Sequence, residues 1–144
     1  MSGSPRSPLL LLDVSLHTED QGRLPVALVG GRADVVAPLV LGEGTVASLG
    51  LTFRLDGEVD GLTFEEERAR DGRVLATTRT LLGDFRRGGP YEVWLPPQRW
   101  PVGRLHCGVY RITGRLLDGA GRELALENHD LRLVHLSGTP TAPA

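Results

Sequence analysis

The stretch VASLGLTFRL, residues 46–55, alternates apolar side chains with small or polar ones. In a β-strand successive side chains point to opposite faces. One face would therefore carry the apolar side chains Leu49, Leu51, Phe53 and Leu55. This period-two pattern predicts a strand with one face in a hydrophobic core.

The same alternation continues on both sides of this stretch. The other predicted strands are residues 9–16, 24–29, 35–41, 62–68, 73–82, 91–95, 105–117 and 123–133. Asp71-Gly72 and the Asp-Gly-Ala-Gly run at 118–121 separate strands with residues that tolerate positive φ. Residues 65–70 (EEERAR) could begin a helix, but Gly72 would end it after less than about two turns. Short strands at this spacing predict an all-β, immunoglobulin-like β-sandwich of about nine strands.

Both ends of the chain differ in composition from its interior. Residues 1–8 (MSGSPRSP) and 137–144 (SGTPTAPA) are small, polar and rich in Pro. Such segments bury too little apolar surface to offset the entropy of ordering them. We therefore predict two disordered tails around one domain, residues 9–136.

Composition limits the possible partners and locations. The 144 residues carry a net charge of −2, which does not suggest a nucleic-acid-binding protein. All 16 basic residues are Arg, as in proteins from GC-rich genomes, and this points to a bacterial source. The chain offers no stretch near the roughly 20 apolar residues of a membrane span and no recognisable signal peptide. We therefore expect a cytoplasmic protein without direct membrane insertion.

The residue types used in catalysis and metal binding form no familiar pattern. The histidines are His17, His106, His129 and His135, and none is spaced from another as metal ligands usually are. Cys107 is the single cysteine, so no internal disulfide forms, and a packed free thiol is its expected role. We predict no catalytic residue, no metal site and no cofactor.

An acidic run and a glycine-containing turn resemble functional motifs, but neither predicts a site. Glu65 and Glu67 would share one face of a strand and Glu66 the other, as on a solvated charged strand. Residues 42–44 (GEG) lack the Lys and Ser/Thr of a phosphate-binding loop and lead into a strand.

The segment from Leu82 onward is the most specific part of the chain. It combines a Gly before an aromatic residue, a Tyr-Glu strand, a Pro-rich corner and a Gly-x-Leu-x-x-Gly-x-Tyr turn. Its matching residues are Gly83, Tyr91, Glu92, Pro96, Pro101, Gly103, Leu105, Gly108, Tyr110, Arg115 and Asp118. Residues 40–44 (VLGEG), followed by Leu49-x-Leu51-x-Phe53-Arg54, precede them in the same order. In this series the chain resembles the Rho GDP-dissociation inhibitor (RhoGDI) family.

The resemblance implies an immunoglobulin-like sandwich that binds a small Ras/Rho-type GTPase or another lipid-modified protein. In that family an isoprenoid chain enters a slot between the two sheets. An exposed isoprenoid is costly in water, at about 0.8 kcal/mol per CH₂. By this resemblance the slot would be lined by Leu39, Val59, Leu105, Ile112 and Leu126. The same five residues also fit an ordinary sandwich core.

Parts of the chain depart from the family pattern. Only about eight residues precede the first predicted strand, so we expect no counterpart of the family's helical arm. The family's Trp-bearing strand here includes Leu126 and Asn128, which would place Asn128 in the slot. We expect His129-Asp130 to add a residue to this strand, as a β-bulge would.

Trp94, Arg99 and Trp100 surround the corner at residues 95–97. They could cap one end of the sandwich or form a partner-binding patch, since aromatic residues and Arg are frequent at interfaces. Two functions therefore remain open at this stage. One is a RhoGDI-like binding protein that sequesters a lipid-modified partner or small GTPase. The other is a closed β-sandwich interaction module without lipid binding.

Overall fold

Strands make up most of this protein in a computed structural model that describes residues 7–26, 28–29, 32–33 and 39–136. The strands are β1 Leu9–Thr18, β2 Gly22–Val26, β3 Leu28–Val29, β4 Arg32–Ala33, β5 Leu39–Gly42, β6 Val46–Leu55, β7 Val59–Arg70, β8 Arg73–Phe85, β9 Gly88–Trp94, β10 Gln98–Arg99, β11 Gly108–Leu117 and β12 Glu123–Val134. A 3-10 turn covers Arg104–His106. None of the described residues forms a helix long and apolar enough to cross a membrane.

Two sheets face each other across the core. Sheet I has the order β2-β1-β6, and both β9 and β10 pair with the free side of β6. Sheet II has the order β5-β12-β11-β7-β8, in which only the β5–β12 pair is parallel. The predicted all-β sandwich is confirmed, and nine of the described strands have four or more residues.

The alternation at residues 46–55 places side chains as predicted. Leu49, Leu51, Phe53 and Leu55 are buried between the sheets. Burying each of these side chains contributes about 1.5–3 kcal/mol. The strand occupies the predicted residues because its neighbours β1, β9 and β10 complete its hydrogen bonding on both sides.

Two predicted turns are also confirmed. Asp71 and Gly72 both have positive φ, 54° and 77°, and join β7 to β8 as a two-residue hairpin. Asp118 begins the turn between β11 and β12, where its carboxylate accepts hydrogen bonds from the backbone N–H groups of Ala120 and Arg122. Residues 65–70 are strand, because β11 and β8 pair with them from both sides.

Several strand boundaries differ from the predicted ones by up to three residues, and β11 is the case with a clear cause. The strand expected from residue 105 begins only at Gly108, because Gly103 has a φ of 118° and leads into the 3-10 turn. Of the strand expected at residues 35–41, residues 35–38 lie outside the described part, and Leu39–Gly42 forms β5.

The first predicted tail includes two residues that bind the sandwich. The Ser7 hydroxyl donates a 2.6 Å hydrogen bond to the Leu124 carbonyl, and the Asp56 N–H donates to the Pro8 carbonyl at 2.7 Å. Ser7 and Pro8 therefore belong to the folded domain, which was predicted to begin at residue 9. Residues 1–6 and the second predicted tail, 137–144, lie outside the described residues.

The irregularity in β12 lies earlier than predicted. His129 and Asp130 pair regularly with Ile112 and Arg111, so the predicted bulge there is wrong. The register shifts instead at the start of the strand, between the Leu116 and Leu117 pairs. This early shift reverses which side chains of the strand face the core.

Candidate functional site

The five residues predicted to line a lipid slot do not come together. Val59 and Ile112 are buried, and Leu39 packs against the core from the edge strand β5. Leu105 is 86% exposed on the 3-10 turn, outside both sheets. Leu126 is 36% exposed because the register of β12 turns it to the outer face. The predicted placement of Leu105 and Leu126 between the sheets is therefore wrong.

A cleft opens between the sheets where β7 and β8 face β10, and it is not the lipid slot predicted from the sequence. Its cavity of about 70 Å³ includes Ile112 but none of the other four predicted slot residues. Its apolar lining residues are Leu16, Ala47, Leu49, Phe64, Leu95, Pro96, Trp100, Ile112 and Leu131. Its polar lining residues are Glu66, Arg68, Thr78, Thr80, Gln98 and His129. The cleft therefore suits a small group with both apolar and polar surface.

Arg68 spans the mouth of this cleft. Its Nε donates to Glu66 on the same strand at 2.9 Å, and its Nη2 donates to Gln98 on the opposite sheet at 2.7 Å. The guanidinium carbon lies 3.9 Å from the centre of the Trp100 ring. Stacking on an aromatic face is favourable for a guanidinium group. Arg68 thus joins the two sheets over the indole.

An acid–imidazole pair lies in the core beside the cleft. Glu127 and His129 are nearly fully buried, and Glu127 Oε2 is 2.9 Å from His129 Nδ1. The other carboxylate oxygen, Oε1, has no hydrogen-bond partner. Gly114 faces it, and a Cβ there would lie 2.9 Å from Oε1 and 2.7 Å from Phe64. The cross-strand glycine therefore provides the room that the carboxylate occupies.

Sequence reasoning missed this pair because it placed the β12 bulge too late. Asn128, expected in the slot, faces outward and accepts a 2.8 Å hydrogen bond from the Thr113 hydroxyl. A bulge near residue 124 turns Glu127 and His129 toward the core. Predicting that bulge from sequence would have required placing two titratable side chains in the core. Apolar alternation argues against that choice, since buried polar groups are costly.

The predicted partner-binding residues have three different settings. Trp94 is 46% exposed and lies across Gly50 on the outer face of sheet I, beside His17. Arg99 is exposed and donates to the Gly44 carbonyl at 2.7 Å. Trp100 is only 4% exposed and packs edge-on against Tyr110. Trp100 therefore caps the core, and the patch predicted from these three residues does not exist as one surface.

Strand β8 has an open edge. Within the described residues it pairs with β7 alone, and at 13 residues it is the longest of the described strands. Val74, Leu75 and Leu81 are exposed along it, with Leu81 at 71%. An unpaired, partly apolar edge of this length can accept a further strand.

Three side chains able to ligate a metal meet at one end of the sandwich. Glu43 follows β5, Cys107 precedes β11 and His135 follows β12, and their donor atoms all lie within 4.8 Å of one another. Hydrogen bonding from the Gly103 N–H lowers the pKa of the Glu43 carboxyl from its ordinary value of 4.5, while burial opposes this effect. No spacing in the sequence signals the cluster, because its members come from three distant segments.

Comparison with known proteins adds evidence on the fold. The chain is a two-sheet β-sandwich, and the crystal structure of the C-terminal domain of wzt is similar to it, with a TM-score of 0.66 and 12% sequence identity. The likeness covers 96% of this chain and 86% of that one. At this identity it shows the fold alone. No family model and no curated protein matches the chain.

Proposed function

We propose that this protein is a non-enzymatic interaction module that binds an extended segment of a partner protein along the edge of β8. The supporting observation is the open, partly apolar edge of that strand. In strand addition, main-chain hydrogen bonds supply affinity and alternate side chains supply specificity. Sheet II would gain a sixth strand.

The charge along this edge suggests the chemistry of the partner. Residues 73–87 contain four Arg and one Asp, a net charge of +3, whereas the whole chain carries −2. Arg73 lies at one end of β8, and Arg86 and Arg87 follow the other. The residues between them are mainly apolar or Thr, apart from Asp84 and Arg79, whose guanidinium pairs with Glu65 at 2.8 Å. A partner segment with acidic ends and β-branched residues in the middle would complement this edge in both charge and strand propensity.

A pair of synthetic peptides tests the proposal. One alternates Val and Thr between two Glu residues at each end, and the other carries Arg in place of Glu. We expect saturable binding of the acidic peptide, at least about tenfold tighter than the basic one, measured by fluorescence anisotropy. Hydrogen exchange of the β8 amides should slow when it binds. N-methylation of alternate peptide amides should abolish binding, because strand addition requires those donors.

Two variants with the same charge change provide the control. Leu81→Glu places a carboxylate on β8, and Leu10→Glu places one on sheet I, where Leu10 is 55% exposed. Only Leu81→Glu should weaken binding of the acidic peptide, by about tenfold or more. Equal weakening by both variants, unchanged exchange in β8, or no binding by either peptide would each reject strand addition at this edge.

A second candidate function is the sequestration of a lipid-modified partner, such as a small Ras/Rho-type GTPase. The apolar floor of the cleft between the sheets favours it, because an acyl or prenyl chain needs such a surface. At about 70 Å³ the cavity holds only a small part of a chain unless the sheets move apart. This candidate therefore requires the mouth closed by Arg68 to open.

Titration with a fluorescent geranylgeranyl-cysteine peptide tests this second function. Thr78→Trp would place a large side chain at the cleft, and Thr77→Trp would place the same side chain on the outer face of β8. Saturable binding lost only in Thr78→Trp would support lipid sequestration. Absence of binding, or equal binding by both variants, would rule the cleft out as a lipid site.

A further inference from the structure

We propose that Glu43, Cys107 and His135 form a binding site for a divalent transition metal ion of the Zn²⁺ class. The site would lie at the end of the sandwich where β5 and β12 finish and β11 begins. It is separate from both the β8 edge and the cleft between the sheets.

The fold brings the three donors together from segments far apart in sequence. Glu43 lies in the turn after β5, and that strand runs parallel to β12, so His135 emerges beside it. Cys107 follows the 3-10 turn that leads into β11, the next strand of sheet II. Residues flanking three neighbouring strands thus contribute one ligand each.

The carboxylate of Glu43 is held in place from two sides. Its Oε1 accepts a 2.6 Å hydrogen bond from the Gly103 N–H, and its Oε2 accepts one of 2.7 Å from the Leu136 N–H. These donors belong to the loops that carry Cys107 and His135. Hydrogen bonds of this kind fix the orientation of metal ligands in proteins.

The other two donor atoms lie within 4.8 Å of this carboxylate. His135 Nδ1 lies 2.7 Å from Glu43 Oε2, and the Cys107 thiol donates a 3.5 Å hydrogen bond to the Gly103 carbonyl. The Glu43 side chain is almost fully buried, whereas His135 keeps about a third of its surface exposed. An ion can therefore approach from the side of the imidazole.

The donor set selects the class of metal. Thiolate, imidazole and carboxylate together suit Zn²⁺, whereas Mg²⁺ and Ca²⁺ prefer oxygen alone. Metal–ligand bonds of about 2.0–2.3 Å in a tetrahedral site place donor atoms about 3.5 Å apart. Separations within 4.8 Å therefore need only small side-chain rotations. Three protein ligands leave the fourth position for water or another ligand.

Binding would release protons and stabilise the fold. Cys107 would bind as the thiolate and release its proton to solvent, and two metal bonds would replace the hydrogen bond between His135 and Glu43. An ion bound only by the folded state raises the unfolding temperature in proportion to the logarithm of its concentration.

Titration of the chelator-treated full chain with Co²⁺ tests this proposal. Thiolate coordination should produce a near-ultraviolet charge-transfer band, and tetrahedral geometry should produce visible absorption. Both signals should disappear when Zn²⁺ is added. The unfolding temperature should rise with Zn²⁺ and fall again with chelator.

Matched variants assign the ligands. Cys107→Ser should abolish the charge-transfer band, and His135→Gln should weaken Co²⁺ binding by more than about tenfold, since even outer-shell changes cost about 10–100-fold. His106→Gln, next to Cys107 but outside the cluster, should change neither. His135 is exposed, so its variant should fold normally, which circular dichroism would check. No band in the native chain, or binding equal in all three variants, would overturn the proposal.

Discussion

The two tryptophans differ in what their rings contact. Trp100 is buried between Arg68 and Tyr110, whereas Trp94 lies half exposed on the surface of sheet I. We expect Trp100→Ala to lower the free energy of unfolding by about 3–5 kcal/mol. Trp94→Ala should lower it by about 1 kcal/mol or less. Urea denaturation of both variants measures the difference, and equal losses would contradict these assignments.

Gly50 explains how Trp94 lies flat on the sheet. An added Cβ at this position would lie 2.5–2.8 Å from three indole carbons, so the ring can rest there only above a glycine. The sequence places both residues on strands, but it does not show that one covers the other. Cross-strand neighbours depend on register, which the alternation pattern alone leaves open.

The buried pair of Glu127 and His129 allows a test of coupling. His129→Leu would leave both Glu127 oxygens without partners, and an unsatisfied buried group costs about 1–3 kcal/mol. The double variant Glu127→Leu/His129→Leu removes that group as well and should be more stable than the single variant. A double-mutant cycle by chemical denaturation measures this. A double variant less stable than His129→Leu would show that Glu127 stabilises the core independently.

At the level of elements, the turn before β12 depends on a carboxylate. The backbone N–H of Arg122, then its side chain and the Ala120 N–H, lower the pKa of Asp118 below its ordinary 3.8, against the opposing effect of burial. The stabilisation is therefore complete above that ordinary value and is lost as the pH falls through the lower folded-state pKa. Asp118→Asn should make the free energy of unfolding less dependent on pH in this acid range. An unchanged pH profile of unfolding would contradict the role.

The strands were more predictable than the residues that meet at the candidate sites. Residues 46–55 form a strand over the predicted range because one face is wholly apolar, and Asp71-Gly72 forms its hairpin because both residues tolerate positive φ. Leu105 has the apolar character of a core residue, yet the turn after Gly103 carries it outside. The apolar alternation of the sequence predicts which strands form. Bulges and turns, which the alternation does not show, determine which side chains contact one another.

Across the whole molecule, local stability should differ between the centre and the edge of the sheets. Within the described residues, β6 and β11 are paired on both sides, whereas β8 is paired on one side and is largely exposed. Hydrogen exchange should therefore be slowest in β6 and β11 and faster in the first half of β8. Equal protection in β6 and β8 would indicate that the edge is covered in solution.

The position of Trp100 under Arg68 gives the protein an internal optical probe. The chain has two tryptophans, and replacing the surface one with Phe would leave a single indole at the cleft between the sheets. The fluorescence emission wavelength of the Trp100 indole depends on the local polarity and on the guanidinium above it. Any molecule that moves that guanidinium would shift the spectrum, so screening for cleft ligands requires no attached dye.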